Sequence, residues 1–282
     1  MDSALKNISK TIIITGSNKG IGYTTLKRIS SRNPKFNFIM AVRSIENGEK
    51  ALSELSQSVE GIKERVKIAQ LDISDSKSID NFVEWVSKNY GKVDALINNA
   101  GMAFKGDAFG ADVVATTFKT NYYGTIELTE KMKNLINDNG KIVIIGSSAG
   151  KLSRLTSEEL KNRFTDPNLT KEGLDLLAKE FYDRVVDNTY LEKGWPRNSY
   201  GMSKLCINTY ARLLGKDEEI LKRNIQVYVC CPGWCRTDMA GPNAPLSADD
   251  GAITPTYLIE LPWEINKDLQ GQFFYECKVA SL

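Results

Sequence analysis

The chain has 282 residues, 41% of them hydrophobic and 26% charged, which is the balance of a globular protein with a large core. It contains no histidine, and this excludes Ser-His-Asp and Cys-His catalysis, an HExxH zinc site and any imidazole proton shuttle. The net charge of +2 arises from interspersed charges and argues against nucleic acid as a partner.

Apolar runs and cysteine usage indicate the compartment. No apolar run approaches the roughly 18 residues that cross a bilayer, and residues 1–10 are polar and lack the apolar stretch of a signal peptide. The five cysteines include the adjacent Cys230 and Cys231, and their spacing fits neither a disulfide framework nor a zinc site. We expect reduced thiols, no metal site, no membrane partner and a cytoplasmic location.

Short β-branched runs alternate with helical segments along the chain. The predicted strands are residues 11–15, 38–42, 66–71, 95–97, 142–145, 225–229 and 272–275. The predicted helices are residues 20–32, 45–58, 75–90, 108–136 and 199–216. Most of the strands are apolar on both faces, as parallel strands covered by helices are, so the pattern predicts a doubly wound α/β sheet.

One segment interrupts this alternation. Between Gly150 and Pro196 the chain carries two polar helix-like stretches, 157–164 and 171–190, and no strand. A loop of this length without structure of its own is uncommon, so we predict a helical insertion at about 151–195. No repeat or Pro/Gly linker divides the chain, and residues 1–282 are expected to form one domain.

The first predicted strand runs into a glycine-rich turn and then a helix. The turn reads Thr15-Gly16-Ser17-Asn18-Lys19-Gly20-Ile21-Gly22. Glycines permit tight backbone angles here and let main-chain N–H groups approach a pyrophosphate at the positive end of the helix. A purely structural turn is the alternative, but the strand before it and the helix after it favour dinucleotide binding.

The ends of the next three strands carry candidate cofactor contacts. Arg43 follows the second strand, where an acidic residue would bind the ribose of NAD, and with Lys19 it offers positive charge to a 2′-phosphate. The two cations would otherwise be solvated surface residues. Asp72 would bind an adenine amino group or cap a turn. Asn98 and Gly101 end the fourth strand, where ligands sit in open α/β sheets, although an Asn-Gly-rich turn is the alternative.

The candidate proton donor opens the last long helix. Tyr200 and Lys204 are four residues apart, so phenol and ammonium share one helical face and the positive charge favours the phenolate. With a cationic nicotinamide ring nearby, this predicts a phenol pKa lowered from about 10 toward about 7. The end of the fifth strand supplies a neutral hydroxyl for a substrate oxygen, Ser147.

A second tyrosine-lysine pair has the same spacing. Tyr23 and Lys27 lie in the helix directly after the glycine-rich turn. No hydroxyl partner can be identified for that phenol, so we assign Tyr23 to packing or to the surface. The pair that can work together is therefore Ser147 and Tyr200.

These motifs resemble the classical short-chain dehydrogenase/reductase family over essentially the whole chain. The shared elements are Thr-Gly-x-x-x-Gly-Ile-Gly, Asn-Asn-Ala-Gly, the serine after the fifth strand, Tyr-x-x-x-Lys, and Pro232-Gly233 with Thr237. Residues 194–196 and 230–239 are similar to the monomeric NADPH-dependent carbonyl reductases of that family. The resemblance implies a Rossmann-like sheet of about seven strands and reduction of ketones, aldehydes or quinones with NADPH.

The resemblance also implies a catalytic set. Tyr200 would be the general acid and Ser147 would hold the substrate oxygen, with the neighbouring Ser148 as the alternative. Lys204 would bind the nicotinamide ribose and lower the pKa of the tyrosine. Asn121 matches a helix asparagine that is thought to hold a water relay to Lys204.

Cofactor contacts follow from the same resemblance. The residues implied around the phosphates are Gly16, Asn18, Lys19, Gly20, Ile21 and Gly22. The residues implied along the rest of NADP(H) are Arg43 at the 2′-phosphate, Asp72 at the adenine, Asn98 and Gly101 at the middle, Tyr200 and Lys204, and Thr237 at the carboxamide. Pro232 and Gly233 would shape the loop that carries Thr237.

Substrate-facing positions are implied near the same loop. Trp234 would form the wall of an aromatic pocket or would be a core anchor. Cys231 lies beside it, in a region where carbonyl reductases bind or react with glutathione, so glutathione or its conjugates are candidate partners besides a small carbonyl compound. The insertion would act as a lid and would cover the helices that other members use to form tetramers, which implies a monomer.

Two other classes of function remain open from the sequence. A dinucleotide-binding sensor would keep the fold but has no need for a proton-donor set. An alcohol or steroid dehydrogenase working oxidatively would use the same residues. Lys19 and Arg43 disfavour the second class, because cytosolic NADP pools favour reduction.

Overall fold

A computed structural model describes residues 9–281, so the expectation about a signal peptide lies almost entirely outside the described residues. Within that range one sheet has eight strands in the order β3-β2-β1-β4-β5-β6-β7-β8. They are β1 Thr11–Thr15, β2 Asn37–Val42, β3 Val66–Gln70, β4 Val93–Asn98, β5 Ile136–Ile145, β6 Gln226–Cys231, β7 Phe273–Tyr275 and β8 Lys278–Val279. The strands pair in parallel, apart from the short antiparallel pair of β7 and β8.

Helices cover both faces of this sheet. They are α1 Gly20–Arg32, α2 Ile45–Ser56, α3 Ile62–Arg65, α4 Ser76–Tyr90, α5 Ala111–Phe118, α6 Thr125–Lys133, α7 Glu158–Thr165, α8 Lys171–Val186, α9 Ser199–Leu214, α10 Glu218–Lys222, α11 Ala248–Gly251 and α12 Ile253–Glu260. Side chains alternate between the faces along each strand: Ile13 packs in one apolar cluster, and Ile12 and Ile14 pack in the other. The doubly wound sheet predicted from the sequence is confirmed.

The boundaries show where the sequence pattern was insufficient. Strand β8 has two residues and follows Glu276 and Cys277, which both have positive φ, so it is too short to produce a pattern. The predicted helix 108–136 is α5, a π-helical segment Lys119–Gly124 and α6. Its last residue, Ile136, instead begins β5 and pairs with Val93. The short helices α3, α10, α11 and α12 were not predicted.

The predicted insertion contains α7 and α8. Each helix begins at a side-chain cap: Ser157 accepts from the N–H of Leu160, and Thr170 accepts from the N–H of Gly173. The second helix ends at Val186 rather than 190, and the chain then turns through residue 188 in the left-handed region. Its buried face contacts α5 and α9, so the insertion is packed onto the helices beside the tyrosine.

Three observations bear on the expectations about compartment and metals. None of the helices in the described part combines the length and the apolar character that crossing a membrane requires. Across residues 9–281 no three His, Cys, Asp or Glu side chains are grouped so that they could hold a metal ion. All five cysteines lie in this range, and they are free thiols.

Candidate active site

The glycine-rich turn is held against the end of β4. Gly16 has φ +64°, and a Cβ there would lie 3.1 Å from the Cα of Ala100. A Cβ on Gly22 would lie 2.4 Å from Nδ2 of Asn99, which donates to the carbonyls of Thr15 (2.8 Å) and Gly16 (3.2 Å). Glycine suits both positions for different reasons: Gly16 has a positive φ and lies against the backbone of Ala100, and a side chain on Gly22 would displace the amide of Asn99.

Helix α1 begins without a side-chain cap. Its N-cap residue is Lys19, no side chain within the described residues caps the helix, and its first turn carries no acidic residue. Side chains cap several other helices, namely Ser44 for α2, Asp75 for α4, Ser157 for α7, Thr170 for α8, Asn198 for α9 and Asp217 for α10. An uncapped N-terminus presents free N–H groups and the positive end of the helix dipole, so this turn fits the phosphates of a dinucleotide.

The loop after β6 reaches across this helix end. Nζ of Lys19 lies 2.7 Å from Oδ2 of Asp238, and the two side chains are 64% and 79% exposed. This hydrogen bond lowers the pKa of Asp238. A Cβ on Gly20 would lie 3.4 Å from Cγ2 of Thr237, so the predicted carboxamide-binding threonine touches the glycine-rich turn. The structure therefore brings Thr237 and the phosphate-binding turn together.

Two predicted adenosine contacts follow β2 and β3. Arg43 is exposed just beyond β2. Oδ1 of Asp72 accepts hydrogen bonds from the N–H (2.9 Å) and hydroxyl (2.7 Å) of Ser74. Burial tends to raise the pKa of Asp72, but these hydrogen bonds and the charges of Arg43 and Lys119 together lower it. Asp72 thus caps its turn, the alternative left open above, and it does so as a carboxylate.

The two predicted cofactor contacts after β4 have different neighbours: Asn98 contacts α6, and Gly101 lies beside Asn121. Nδ2 of Asn98 donates to Oγ1 of Thr129 (2.9 Å) in α6, and its Oδ1 is buried without a hydrogen-bond partner in the described part of the chain. The side chain of Asn98 therefore faces α6. A Cβ on Gly101 would lie 3.2 Å from Oδ1 of Asn121, so Gly101 lies beside Asn121.

Asn121 lies in the π-helical segment and joins two parts of the site. Its Oδ1 accepts from the N–H of Met102 (2.8 Å), and its Nδ2 donates to the carbonyl of Met102 (2.8 Å) and to Oγ of Ser203 (3.1 Å). Oγ of Ser203 donates in turn to the carbonyl of Tyr200 (2.8 Å). The side chain of Asn121 therefore connects the end of β4 to the tyrosine helix, and these contacts occupy its amide.

The structure brings Ser147, Tyr200 and Lys204 together at the carboxyl end of β5. Ser147 shares a side-chain hydrogen bond with Tyr200. Lys204 donates through Nζ to the carbonyl of Ile145 (2.6 Å), and Nζ lies 5.8 Å from the centroid of the Tyr200 ring. Ser148 points elsewhere, with Oγ 3.4 Å from Sγ of a cysteine of β6. The geometry favours Ser147 over Ser148 as the partner of the phenol.

The pKa of Tyr200 moves opposite to the expectation from spacing. Burial raises it to about 12; the hydrogen bond from Ser147 lowers it, and the nearby Cys231 raises it. Burial lowers the pKa of Lys204 to about 8, with Cys231 and Cys230 acting in the opposite direction. The prediction from the spacing of Tyr200 and Lys204 did not include the free-energy cost of burying a phenolate, which raises the pKa of the phenol. At neutral pH the phenol is protonated and the lysine is charged.

The predicted substrate positions differ in exposure. Trp234 is 58% exposed, which excludes a core anchor, whereas Cys231 is 3% exposed. Sγ of Cys231 accepts from the N–H of Gly233 (3.4 Å), where φ is +85°, and the carbonyl of Pro232 accepts from Sγ of Cys235 (3.2 Å). Cys231 thus lies beneath the loop that Pro232 and Gly233 shape.

Sequence reasoning missed two asparagines that position the site. Asn99 fixes the glycine-rich turn, and it stands next to Asn98 in the motif that was recognised. Asn208 bonds to the main chain of Ser147, with Nδ2 3.0 Å from its carbonyl oxygen. It continues the step of four from Tyr200 and Lys204, so the shared helical face was a signal for it.

Comparison with known proteins gives the family. The family model for short chain dehydrogenase matches residues 10–157. Carbonyl reductase [NADPH] 1 of Mus musculus is 36% identical over 275 residues, covering 95% of this chain and 96% of the relative. The human protein of the same name is 34% identical over 272 residues, also covering 95% and 96%.

A solved structure is similar over the same length. Salutaridine reductase from Papaver somniferum superposes with a TM-score of 0.82 at 26% identity, covering 95% of this chain and all of that one. The family match, the full-length relatives and the observed sheet agree with one another. The chain belongs to the short-chain dehydrogenase family.

Proposed function

We propose that this protein is an NADPH-dependent reductase that converts the carbonyl group of a ketone, aldehyde or quinone into an alcohol or hydroquinone. The observation that carries the proposal is the protonated phenol of Tyr200, which is hydrogen-bonded to Ser147 and next to the charged Lys204 at the carboxyl edge of the sheet. The full-length relatives named carbonyl reductase [NADPH] support the same cofactor and reaction class.

The cofactor would lie along the carboxyl ends of β1 to β4. Its phosphates would meet the turn from Gly16 to Gly22 at the uncapped start of α1, and Lys19 and Arg43 would supply charge to the 2′-phosphate. Lys19 pairs with Asp238 through an exposed contact, which costs little to exchange for a phosphate. When bound, NADPH supplies the hydride.

The side chains supply orientation and the proton. The hydroxyl of Ser147 donates a hydrogen bond to the carbonyl oxygen and holds it beside the phenol. As negative charge develops on that oxygen, Tyr200 transfers its proton to it, and the phenol becomes a phenolate. The ammonium of Lys204 stabilises this phenolate, and proton exchange with solvent restores the phenol.

The protonation states favour reduction over the two alternatives. A phenol with a pKa of about 12 is protonated at neutral pH, as the proton donor of carbonyl reduction must be, whereas alcohol oxidation needs the phenolate at the start. A sensor would gain nothing from burying Lys204, which costs free energy through a lowered pKa. Reduction therefore uses the state that the folded chain favours.

The proposal extends to partners and location. The exposed side chain of Trp234, in the loop after β6, would be a contact surface for an aromatic substrate or a glutathione conjugate, and the burial of Cys231 favours binding over covalent reaction there. Packing of α8 against α5 and α9 supports a monomer, because it covers those helices. The five free thiols support the cytoplasm.

Consumption of NADPH with a panel of quinones, aromatic aldehydes and ketones tests the proposal. Tyr200→Phe should lower kcat by at least about a hundredfold, because the variant retains the ring but has no proton to give. Tyr23→Phe is the matched control, since Tyr23 has the same spacing to a lysine and should leave turnover unchanged. Unchanged turnover in Tyr200→Phe would refute the mechanism.

Cofactor choice is tested separately. Arg43→Ala should raise the KM for NADPH roughly tenfold or more and leave the KM for NADH nearly unchanged, because NADH lacks the 2′-phosphate. Initial rates with each cofactor measure this. A preference of the unmodified protein for NADH would overturn the assignment of Arg43 and Lys19.

A further inference from the structure

Asn208 is a fully buried amide in the middle of α9. Its exposure is 0%, and asparagine is a poor residue for a helix interior. A buried amide is costly unless its donors and acceptor have partners. The described partners of this side chain are not in the helix but on the segment that follows β5.

Asn208 binds both main-chain groups of Ser147. Nδ2 donates to the carbonyl of Ser147 (3.0 Å) and to that of Gly150 (3.3 Å), and Oδ1 accepts a longer hydrogen bond from the N–H of Ser147 (3.4 Å). The N–H and carbonyl of one residue determine how its Cα–Cβ bond is directed. Asn208 therefore constrains the direction of the Ser147 side chain.

The segment of residues 146–150, which follows β5, has little freedom to move away from α9. A Cβ on Gly146 would lie 2.1 Å from Oδ1 of Asn208, and a Cβ on Gly150 would lie 2.3 Å from the backbone nitrogen of Leu205. Lys204 holds the end of β5 through its bond to the carbonyl of Ile145. Glycines at both ends permit this close approach, and Asn208 supplies the hydrogen bonds between them.

We propose that Asn208 is a positioning residue for carbonyl reduction, which fixes Ser147 so that its hydroxyl meets the phenol of Tyr200. The inference rests on the proposed function, because it assigns a purpose to Asn208 through the Ser147–Tyr200 pair. Oγ of Ser147 also accepts from the N–H of Ala149 (3.1 Å), a contact within the same turn that cannot orient the turn against α9.

A double-mutant cycle with Ser147→Ala tests this. Asn208→Ala should lower kcat by roughly tenfold to a hundredfold, because small misplacements of a reacting group cost that much. Its KM for NADPH should change by less than about twofold. On the Ser147→Ala background, Asn208→Ala should lower kcat by a further factor of less than about two, because the hydroxyl that Asn208 positions is no longer present.

Thr209→Val is the matched control. Thr209 is the neighbouring buried polar residue of α9, and its hydroxyl bonds within the helix to the carbonyl of Leu205. Its loss should leave kcat within about twofold of the unmodified protein. If Asn208→Ala does not fold, Asn208→Ser enters the same cycle, with the same non-additivity expected.

The outcomes separate the two hypotheses. Additive effects of Asn208 and Ser147 substitutions, or an unchanged kcat in Asn208→Ala, would overturn the positioning role. Full turnover in Ser147→Ala and Tyr200→Phe would instead overturn the proposed function. The inference is supported if Asn208→Ala lowers kcat without changing the KM for NADPH, and does so only in the protein that retains Ser147.

Discussion

Raising the pH from 7 to 9 should lower turnover about tenfold, because it removes the charge of Lys204 from most of the molecules. This side chain is 7% exposed, and burial lowers its pKa from 10.5 to about 8. The difference, 10.5 minus 8, corresponds to about 3 kcal/mol against the charged form. About nine tenths of the molecules then carry the ammonium at pH 7 and about one tenth at pH 9.

The sign of the effect follows from the form that the mechanism uses. Reduction needs a charged lysine and a protonated phenol, so kcat/KM for NADPH should be level below about pH 8 and should fall about tenfold per unit above it. Tyr200, with a pKa of about 12, adds no change below pH 10. The chain has no histidine whose titration could change kcat/KM near pH 6 or 7.

Stability should change in the opposite direction over the same pH window. The pKa of Lys204 in the folded chain lies below its unfolded value, so the burial penalty is fully present below about pH 8. Between pH 8 and 10.5 the unfolded chain holds more protons, and the contribution of Lys204 to the free energy of unfolding rises. Activity is therefore lost while this contribution to stability is gained.

Initial rates between pH 6 and 10, with urea denaturation at the same pH values, measure both effects. Lys204→Arg is the control: a guanidinium stays charged, so the alkaline fall near pH 8 should disappear. A fall centred above pH 10, or an acidic limb near pH 6.5, would refute the assignment of Lys204 as the titrating group.

Three further substitutions or reactions test the packing. Gly124→Ala should destabilise the protein by about 2 kcal/mol or more in urea, because the new Cβ would lie 1.8 Å from a carbonyl oxygen of Ile73; a loss under about 0.5 kcal/mol would contradict this. Lys141→Met should cost about 2 kcal/mol, since the buried Nζ donates to three carbonyls at the end of α12, and equal or higher stability would contradict it. N-ethylmaleimide should modify Cys277 at least about tenfold faster than the buried Cys231, as peptide mass mapping over time would show; the reverse order would contradict the burial.

The sheet was predictable because its signals are local. Apolar runs of strand length place β1 to β7, most of them alternating with helices, and parallel strands bring their carboxyl ends to one edge. The glycine-rich turn, Ser147 and the tyrosine helix follow strand ends or an insertion that the pattern located. The elements that the pattern did not predict are short or irregular. They are β8, the short helices α3, α10, α11 and α12, and the π-helical segment of residues 119–124.

Contacts between distant segments were beyond the sequence. The pairing of Lys19 with Asp238, the turn of Asn98 toward α6 and the bonds from Asn208 to Ser147 join residues far apart in the chain. A residue type shows what a side chain can bind, but its partner is decided by how the elements pack. For this reason the motif residues were identified while the residues that position them were not.

The sequence by itself determined the sheet, the turn at its edge and the chemistry available without histidine. It placed Tyr200 and Lys204 on one helical face and Ser147 at a strand end. Only the tertiary structure decided the protonation states, because burial raises the pKa of the phenol and lowers that of the ammonium, and burial is a property of the packed chain.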